Sequence, residues 1–155
     1  MIRVVLAVIL TVVLLGIAMP AIDRAAGAHS DRQVESIAEQ FDQTAVELNE
    51  TEDLPPKGVR GPQRVIDVEF PTPSLTATAV LKFRIEEDHG NAHSVIVYQV
   101  GGRPERTHHI DAVVVNAKGG TLKLGRITGH QEFIFRLVRD GSTGDPIVKV
   151  HRVGG

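Results

Sequence analysis

The chain has 155 residues, a net charge of −2 and 42% hydrophobic residues, and it contains neither cysteine nor tryptophan. The lack of cysteine excludes disulfides, thiolate zinc sites and cysteine nucleophiles. The nearly balanced charge provides no basic surface for nucleic acid, so we expect no nucleic-acid partner.

Val4–Ile22 contains no ionisable side chain. A helix over this range covers roughly 28 Å, close to the hydrocarbon thickness of a bilayer. Arg3 is the only charged side chain before this run, and basic residues beside a span resist translocation. The sequence therefore predicts a single-pass anchor in the cell membrane, with the lipid bilayer as a partner, the N-terminus cytoplasmic and the C-terminal domain extracytoplasmic.

A cleaved secretory signal is the alternative interpretation of this segment. Ala26-Gly27-Ala28 supplies small residues at the spacing required for cleavage before His29. The apolar run is, however, longer than the 7–15 residues typical of a signal, and Asp23-Arg24 lies before the candidate cleavage point. Both interpretations export the rest of the chain. We predict an anchor or signal peptide over 1–28, an amphipathic helix and linker over 29–57, and an extracytoplasmic β domain over 58–155.

Ser30–Leu48 has the period of an amphipathic helix. Ser30 and Gln33 match a capping box, which predicts that this helix begins at Ser30, and Pro55-Pro56 bounds its end. The apolar residues fall on one stripe about 100° wide, with acidic and amide side chains on the remainder. The stripe consists of Val34, Ile37, Ala38, Phe41, Ala45 and Leu48.

Two interpretations of this stripe remain open. In the first, the stripe packs on the chain's own β domain. In the second, the helix extends the membrane helix and pairs with other subunits, because Val34, Phe41 and Leu48 are spaced seven residues apart. Pro20 and Gly27 are placed where they would kink or break the join between the two helices.

The remainder of the chain has the two-residue period of β-strands, separated by glycine-rich turns such as Gly101-Gly102 and 140–146. Short connections favour antiparallel neighbours, so we predict a mainly β fold with N-terminal helices, and a small antiparallel β-sandwich rather than an open barrel-like sheet. The seven predicted strands are Val65–Phe70, Leu75–Ile85, Ser94–Val100, Thr107–Val115, Thr121–Ile127, Glu132–Arg139 and Ile147–Val153.

Asn49-Glu50-Thr51 matches the acceptor sequence for N-glycosylation, just before the proline pair. We expect this triplet in an exposed loop, and Asn49 is the one chemical site that the sequence marks as a candidate.

The histidines do not form a recognisable site. His89 and His93 flank a predicted hairpin loop beside residues 86–88, where a zinc or calcium site is conceivable, but a polar turn explains the same residues. His108 and His109 are adjacent in a strand, so their side chains leave opposite faces. No nucleophile, base and orienting group are brought together by the sequence. We therefore predict no metal, no cofactor and no enzymatic activity.

The order of parts, an apolar helix, an amphipathic helix and an antiparallel β domain, resembles type IV pilin-like proteins and their accessory subunits. The segments Met1–Val8, Met19–Asp23 and Val100–Glu105 are similar to a haloarchaeal membrane-anchored family of unknown function, which we associate with pilus or secretion loci. Only Met1-Ile2-Arg3 precedes the apolar run, and no acidic residue occurs before Asp23. The resemblance therefore implies an uncleaved accessory component rather than a filament subunit, and it assigns no functional residue.

The leading hypothesis is a membrane-anchored structural or assembly protein with membrane or pilus-type protein partners, a role that is compatible with homo-oligomers. The alternative is a ligand-binding or adhesive β-sandwich at the cell surface, in which the loop 86–93 is the first candidate for the recognition site. An enzyme ranks third, because no catalytic or metal signature is visible.

Overall fold

The computed structural model describes residues 2–56, 58–88 and 93–154. These residues form one α-helix and eight β-strands in the order of a long N-terminal helix followed by the strands. The elements are α1 (Ile2–Thr51), β1 (Gln63–Phe70), β2 (Val80–Glu87), β3 (Ser94–Val100), β4 (Arg106–Ile110), β5 (Val114–Asn116), β6 (Leu122–Lys123), β7 (Gly129–Arg139) and β8 (Pro146–Arg152).

Helix α1 is continuous over 50 residues and is about 75 Å long. Pro20 lies inside it, so the carbonyl of Gly16 lacks its usual backbone donor, a loss that membrane helices tolerate. The predicted start at Ser30 is wrong, because this residue is in the middle of α1 and its hydroxyl accepts a hydrogen bond from another part of the chain. The predicted boundary between residues 28 and 29 also falls inside α1.

The apolar stripe of α1 packs into the chain's own core. All six residues predicted for it are buried, which confirms the first interpretation of the stripe. Phe41 is central, because its ring makes edge contacts with Phe83 on β2 and with Phe133 and Phe135 on β7, at centroid distances of 5.6, 5.0 and 5.2 Å. The second interpretation agrees with the structure in one part, because α1 extends the apolar helix without a break. The stripe itself is already covered by the β domain.

The described strands form two four-stranded sheets with the orders β1-β7-β8-β5 and β4-β3-β2-β6. Neighbours are antiparallel except for the parallel pair β5 and β8. Residues from α1 and from both sheets form one hydrophobic core, so the C-terminal half of the helix contributes to the interior of the domain. The predicted mainly β fold is confirmed, with two antiparallel-rich sheets, and the predicted N-terminal helices form one long helix.

Three strand predictions need correction. The predicted strand Leu75–Ile85 begins only at Val80, because residues 71–79 form a loop. A register shift between Val80 and Lys82 then turns Val80 into the core and Leu81 outward. The predicted strand Thr107–Val115 divides into β4 and β5, which belong to different sheets. The predicted strand Thr121–Ile127 is reduced to Leu122–Lys123, with an isolated bridge at Ile127.

Candidate functional site

The N-terminal half of α1 is not covered by the other residues that the structure describes. Every residue from 2 to 25 is exposed, whereas Ala26 and Gly27 are already buried against the β domain. By length and composition this half of the helix is long and apolar enough to span a membrane. The point where α1 enters the β domain therefore separates an exposed part of the helix from a buried part.

A buried carboxylate marks this point. The side chain of Asp31 on α1 is only 4% exposed, and its Oδ2 lies 2.9 Å from Arg106 Nη2 and 3.5 Å from Arg103 Nη2. Arg106 also lies 3.7 Å from Glu35 through Nη1 and Oε1. Arg103 belongs to the turn between β3 and β4, and Arg106 begins β4. These charge-assisted contacts fix the helix to one edge of a sheet.

The side chain of Arg103 packs across α1 at Gly27. A Cβ atom built on Gly27 would lie 3.5 Å from both Cγ and Cδ of Arg103, so the arginine stem runs directly across the helix at this glycine. Gly27 and Asp31 are one turn apart on the same face of α1. The turn that carries Arg103 contains Gly102, whose φ of 72° favours glycine.

Two further hydrogen bonds attach the same part of α1 to other elements. The Ser30 hydroxyl accepts a bond of 2.8 Å from the backbone N–H of Thr78, in the loop before β2. Gln33 donates from Nε2 to the backbone carbonyl of Glu69, on β1, over 2.7 Å. We call Gly27, Ser30, Asp31, Gln33, Arg103 and Arg106 the junction. The junction connects α1 to both sheets within two helical turns.

Tyr98 on β3 lies beside the junction, directly across the strand pair from Arg106. Burial raises the pKa of its phenol above the ordinary value, and the nearby carboxylates of Glu35 and Asp31 raise it further, while Arg106 opposes them. The phenol is therefore neutral at physiological pH.

The chemistry of the junction suits mechanical attachment. Asp31 Oδ1 and Arg103 Nε are buried and form no hydrogen bond within the described part of the chain. The remaining contacts hold a carboxylate against two guanidinium groups, which resists sliding or rotation of the helix relative to the sheets.

The candidate glycosylation triplet lies in a different setting from the one predicted. Asn49, Glu50 and Thr51 form the last turn of α1 rather than a loop, because the helix continues to Thr51. Asn49 is half-buried, and the Thr51 hydroxyl donates to the backbone carbonyl of Glu47. Glycosylation of Asn49 stays a prediction.

The histidines are dispersed. His108 is half-buried with Nε2 3.6 Å from Asp42 Oδ2, and the adjacent His109 is exposed, as expected for opposite faces of a strand. His130 is exposed between Asp67 and Glu69, at 3.3 and 3.9 Å. Within 2–56, 58–88 and 93–154, no group of three or more histidine, aspartate or glutamate side chains is placed to hold a metal ion.

The loop 86–93 was the first candidate for ligand recognition. His89 and residues 90–92 lie outside the described residues. Of the remainder, Glu86 Oε2 lies 3.3 Å from Arg84 Nε, and His93 Nδ1 lies 3.7 Å from Asp111 Oδ1. The backbone N–H of Asp88 donates to the carbonyl of His93, which is consistent with a hairpin closing here.

A groove of about 470 Å³ lies at the other end of the domain, beyond the end of α1, between residues 55–56 and 58–59 on one side and 138–144 on the other. Two of its charged side chains, Arg139 and Asp140, form hydrogen bonds within the same segment. Arg139 Nη1 donates to the Gly144 carbonyl over 2.9 Å, and Asp140 Oδ1 accepts bonds of 2.6 Å from the hydroxyl and the N–H of Ser142. These bonds hold the pKa of the Asp140 carboxyl below its usual value.

Comparison with known families gave one match over nearly the whole chain. The family is described as a domain of unknown function, DUF7311, and it matches residues 1–153. The chain belongs to the DUF7311 family. No curated protein and no solved structure matched the chain.

The junction of this DUF7311 chain was missed by the reasoning from sequence, although a signal for it exists. Gly27 and Asp31 continue the alternating spacing of three and four residues that Val34, Ala38 and Phe41 follow along α1. An acidic residue on a stripe predicted to be buried requires a partner of opposite charge. Which of the chain's 17 basic residues provides that charge depends on the tertiary fold.

Proposed function

We propose that this protein is a membrane-anchored structural or assembly protein that holds its β domain outside the cell membrane, as an accessory pilin-like component of a pilus or secretion system. The observation that carries the proposal is the division of α1 into an exposed apolar half and a half that lies inside the domain core. The apolar half enters the bilayer with the N-terminus cytoplasmic, following the position of Arg3.

Energetics favour lipid as the cover for the exposed half. Fourteen large apolar side chains between residues 2 and 22 are at least half exposed. Burying one fully exposed side chain of this kind is worth about 1.5–3 kcal/mol, and at exposures of 50–84% the fourteen together represent on the order of 20 kcal/mol. That sum exceeds the ~5–15 kcal/mol by which a typical domain is stable, and the described remainder of the chain does not cover this surface.

The mechanism is positioning. Because α1 is continuous from the span into the core, the β domain cannot swing on a flexible linker as a tethered domain would. The junction adds charged contacts at the entry point, so the domain is held at a fixed height and orientation relative to the span. A domain that is held rigidly in this way is suited to presenting one surface to neighbouring membrane or pilus-type proteins.

Membrane integration is tested by alkaline extraction of membranes that contain the full chain. We expect the wild-type chain to stay in the membrane pellet. The variant with Leu10→Arg and Leu14→Arg should leave it, because each charge near the centre of a span costs about 2.5–3.5 kcal/mol. The matched control carries Val59→Arg and Val153→Arg, two exposed positions outside the helix, and should stay in the pellet. Extraction of the wild-type chain would overturn the proposal.

The assembly role is tested by purification from native membranes in mild detergent, with identification of the proteins that remain bound. The role is supported by a stoichiometric partner that has its own N-terminal apolar helix and extracytoplasmic domain. A chain that behaves as a monomer without partners, at several mild detergent conditions, would contradict the assembly role while leaving the anchor in place.

A further inference from the structure

The loop between β1 and β2, residues 71–79, extends along α1 toward the exposed apolar half. At one end of the loop, the Thr78 N–H bonds to Ser30. At its tip, Ser74 and Leu75 line the same depression as Met19 and Ile22 of the helix. These helix residues form the last turn of the predicted span Val4–Ile22. The tip of the loop is therefore level with the end of the span.

Leu75 is the most exposed large apolar side chain in the described part of the chain, at 87%. No ionisable residue occurs from Phe70 to Leu81, whereas Glu69 and Lys82 border this stretch. A single exposed leucine is common on protein surfaces, but one at the tip of an uncharged loop beside the end of an apolar helix suits the boundary between headgroups and acyl chains.

The loop presents Leu75 in a defined conformation. The Ser74 N–H donates to the Ala77 carbonyl over 2.9 Å, and the Thr76 N–H donates to the Ser74 hydroxyl over 3.2 Å. Pro73 precedes this turn and restricts the backbone further. Little conformational entropy is lost when such a turn enters an interface.

We propose that loop 71–79 inserts Leu75 into the outer interface of the lipid bilayer and forms a second membrane contact beside the span. The inference rests on the proposed function, because it requires α1 to cross the bilayer at Val4–Ile22. Two contacts at different points of the domain restrict its tilt, which a single helix leaves free to change.

The absence of cysteine allows a direct test with single-cysteine variants of the full chain. Leu75→Cys, Val59→Cys and Val13→Cys are each labelled with an environment-sensitive fluorophore and reconstituted into phosphatidylcholine vesicles. The vesicles contain a lipid that carries a spin label either near the headgroup or deep in the acyl chain. Val59 is the matched control, because it is exposed like Leu75 but lies beyond the C-terminal end of α1.

We expect emission from the Leu75 probe to be blue-shifted relative to that from Val59 and to be quenched more by the shallow spin label than by the deep one. The Val13 probe should show the opposite depth preference. A Leu75 probe that matches Val59, while Val13 is buried in lipid, would overturn the loop contact and leave the anchor intact. A blue shift at Leu75 without quenching by lipid would overturn it in favour of contact with a second copy of the chain. A Val13 probe in water would overturn both proposals.

Discussion

Asp31 places a charged side chain on the buried stripe of α1, which is otherwise formed by apolar residues. It occupies a position that the spacing of Val34, Ala38 and Phe41 assigns to the core, and it is buried there. Its charge is balanced by Arg103 and Arg106, whose side chains keep 35% and 41% of their surface in contact with solvent. The carboxylate therefore specifies where the helix sits along the sheets, which the apolar residues alone specify less strictly.

Replacing Asp31 by asparagine should destabilise the domain by about 1–3 kcal/mol, because both arginines lose the buried charge that they contact. The matched control is Glu47→Gln, which removes an exposed ion pair with Arg64 and should cost no more than about 1 kcal/mol. Denaturant unfolding of the full chain in detergent, followed by circular dichroism, measures both. Equal losses would contradict the role given to Asp31.

Helix α1 combines two elements that are normally separate, a segment long and apolar enough to span a membrane and a core helix. The two halves differ in surroundings and not in backbone, because the helix passes through Pro20 and Gly27 without interruption. Gly27 is inside the helix, where glycine is unfavourable relative to alanine, and the stem of Arg103 packs across it at an ordinary contact distance.

Gly27→Ala tests whether the Arg103 stem leaves room for a methyl group. Distances of 3.5 Å to Arg103 and 3.7 Å to the Gly101 carbonyl are ordinary van der Waals contacts, so the gain in helix propensity should dominate. We expect an increase in stability of about 0.5–1 kcal/mol, measured by thermal unfolding of the full chain in detergent.

Gly61→Ala is the contrasting variant for that experiment. A Cβ atom there would lie 1.9 Å from the Leu137 backbone carbonyl, so this substitution should lower the unfolding temperature clearly. A loss of stability in Gly27→Ala comparable to the loss in Gly61→Ala would mean that Arg103 cannot shift at all.

Two predicted strands differ from the observed ones although the residue pattern of each indicates a single strand. Leu75, Ala77, Ala79 and Leu81 alternate as a strand should, but the first three belong to a loop and Leu81 is turned outward. The register shift between Val80 and Lys82 exchanges the two faces at this point, and periodicity alone cannot show a shift of one residue. The strand that was predicted as Thr107–Val115 divides for a related reason, because the chain crosses from one sheet to the other within it.

At the scale of the whole molecule, the position of residues 26–28 bears on whether the chain keeps its N-terminal segment. Ala26 and Gly27 are buried at the junction, and cleavage after Ala28 would separate Gly27 from Asp31. We therefore expect the mature protein in membranes to retain residues 4–22. Mass spectrometry of the protein from its native membrane fraction measures this directly.

An N-terminus at His29 would contradict that expectation and would favour the ligand-binding alternative, in which the domain is released. The same spectra test Asn49. Added glycan mass on its peptide would show independently that the β domain faces outward.

The sequence by itself determined the features that depend on local pattern. The uncharged run Val4–Ile22 predicted the membrane-competent helix, the stripe from Val34 to Leu48 predicted the buried face, and two-residue alternation predicted a mainly β domain. These features depend on the chemistry of side chains at fixed spacing along one element, which a sequence displays directly.

Only the tertiary structure decided which distant residues meet. The pairing of Asp31 with Arg103 and Arg106, the bond from Thr78 to Ser30, and the level of Leu75 beside Ile22 each join parts of the chain more than 40 residues apart. Such contacts follow from strand order, register and a one-residue bulge, and these are settled by the packing of the whole core rather than by any single segment.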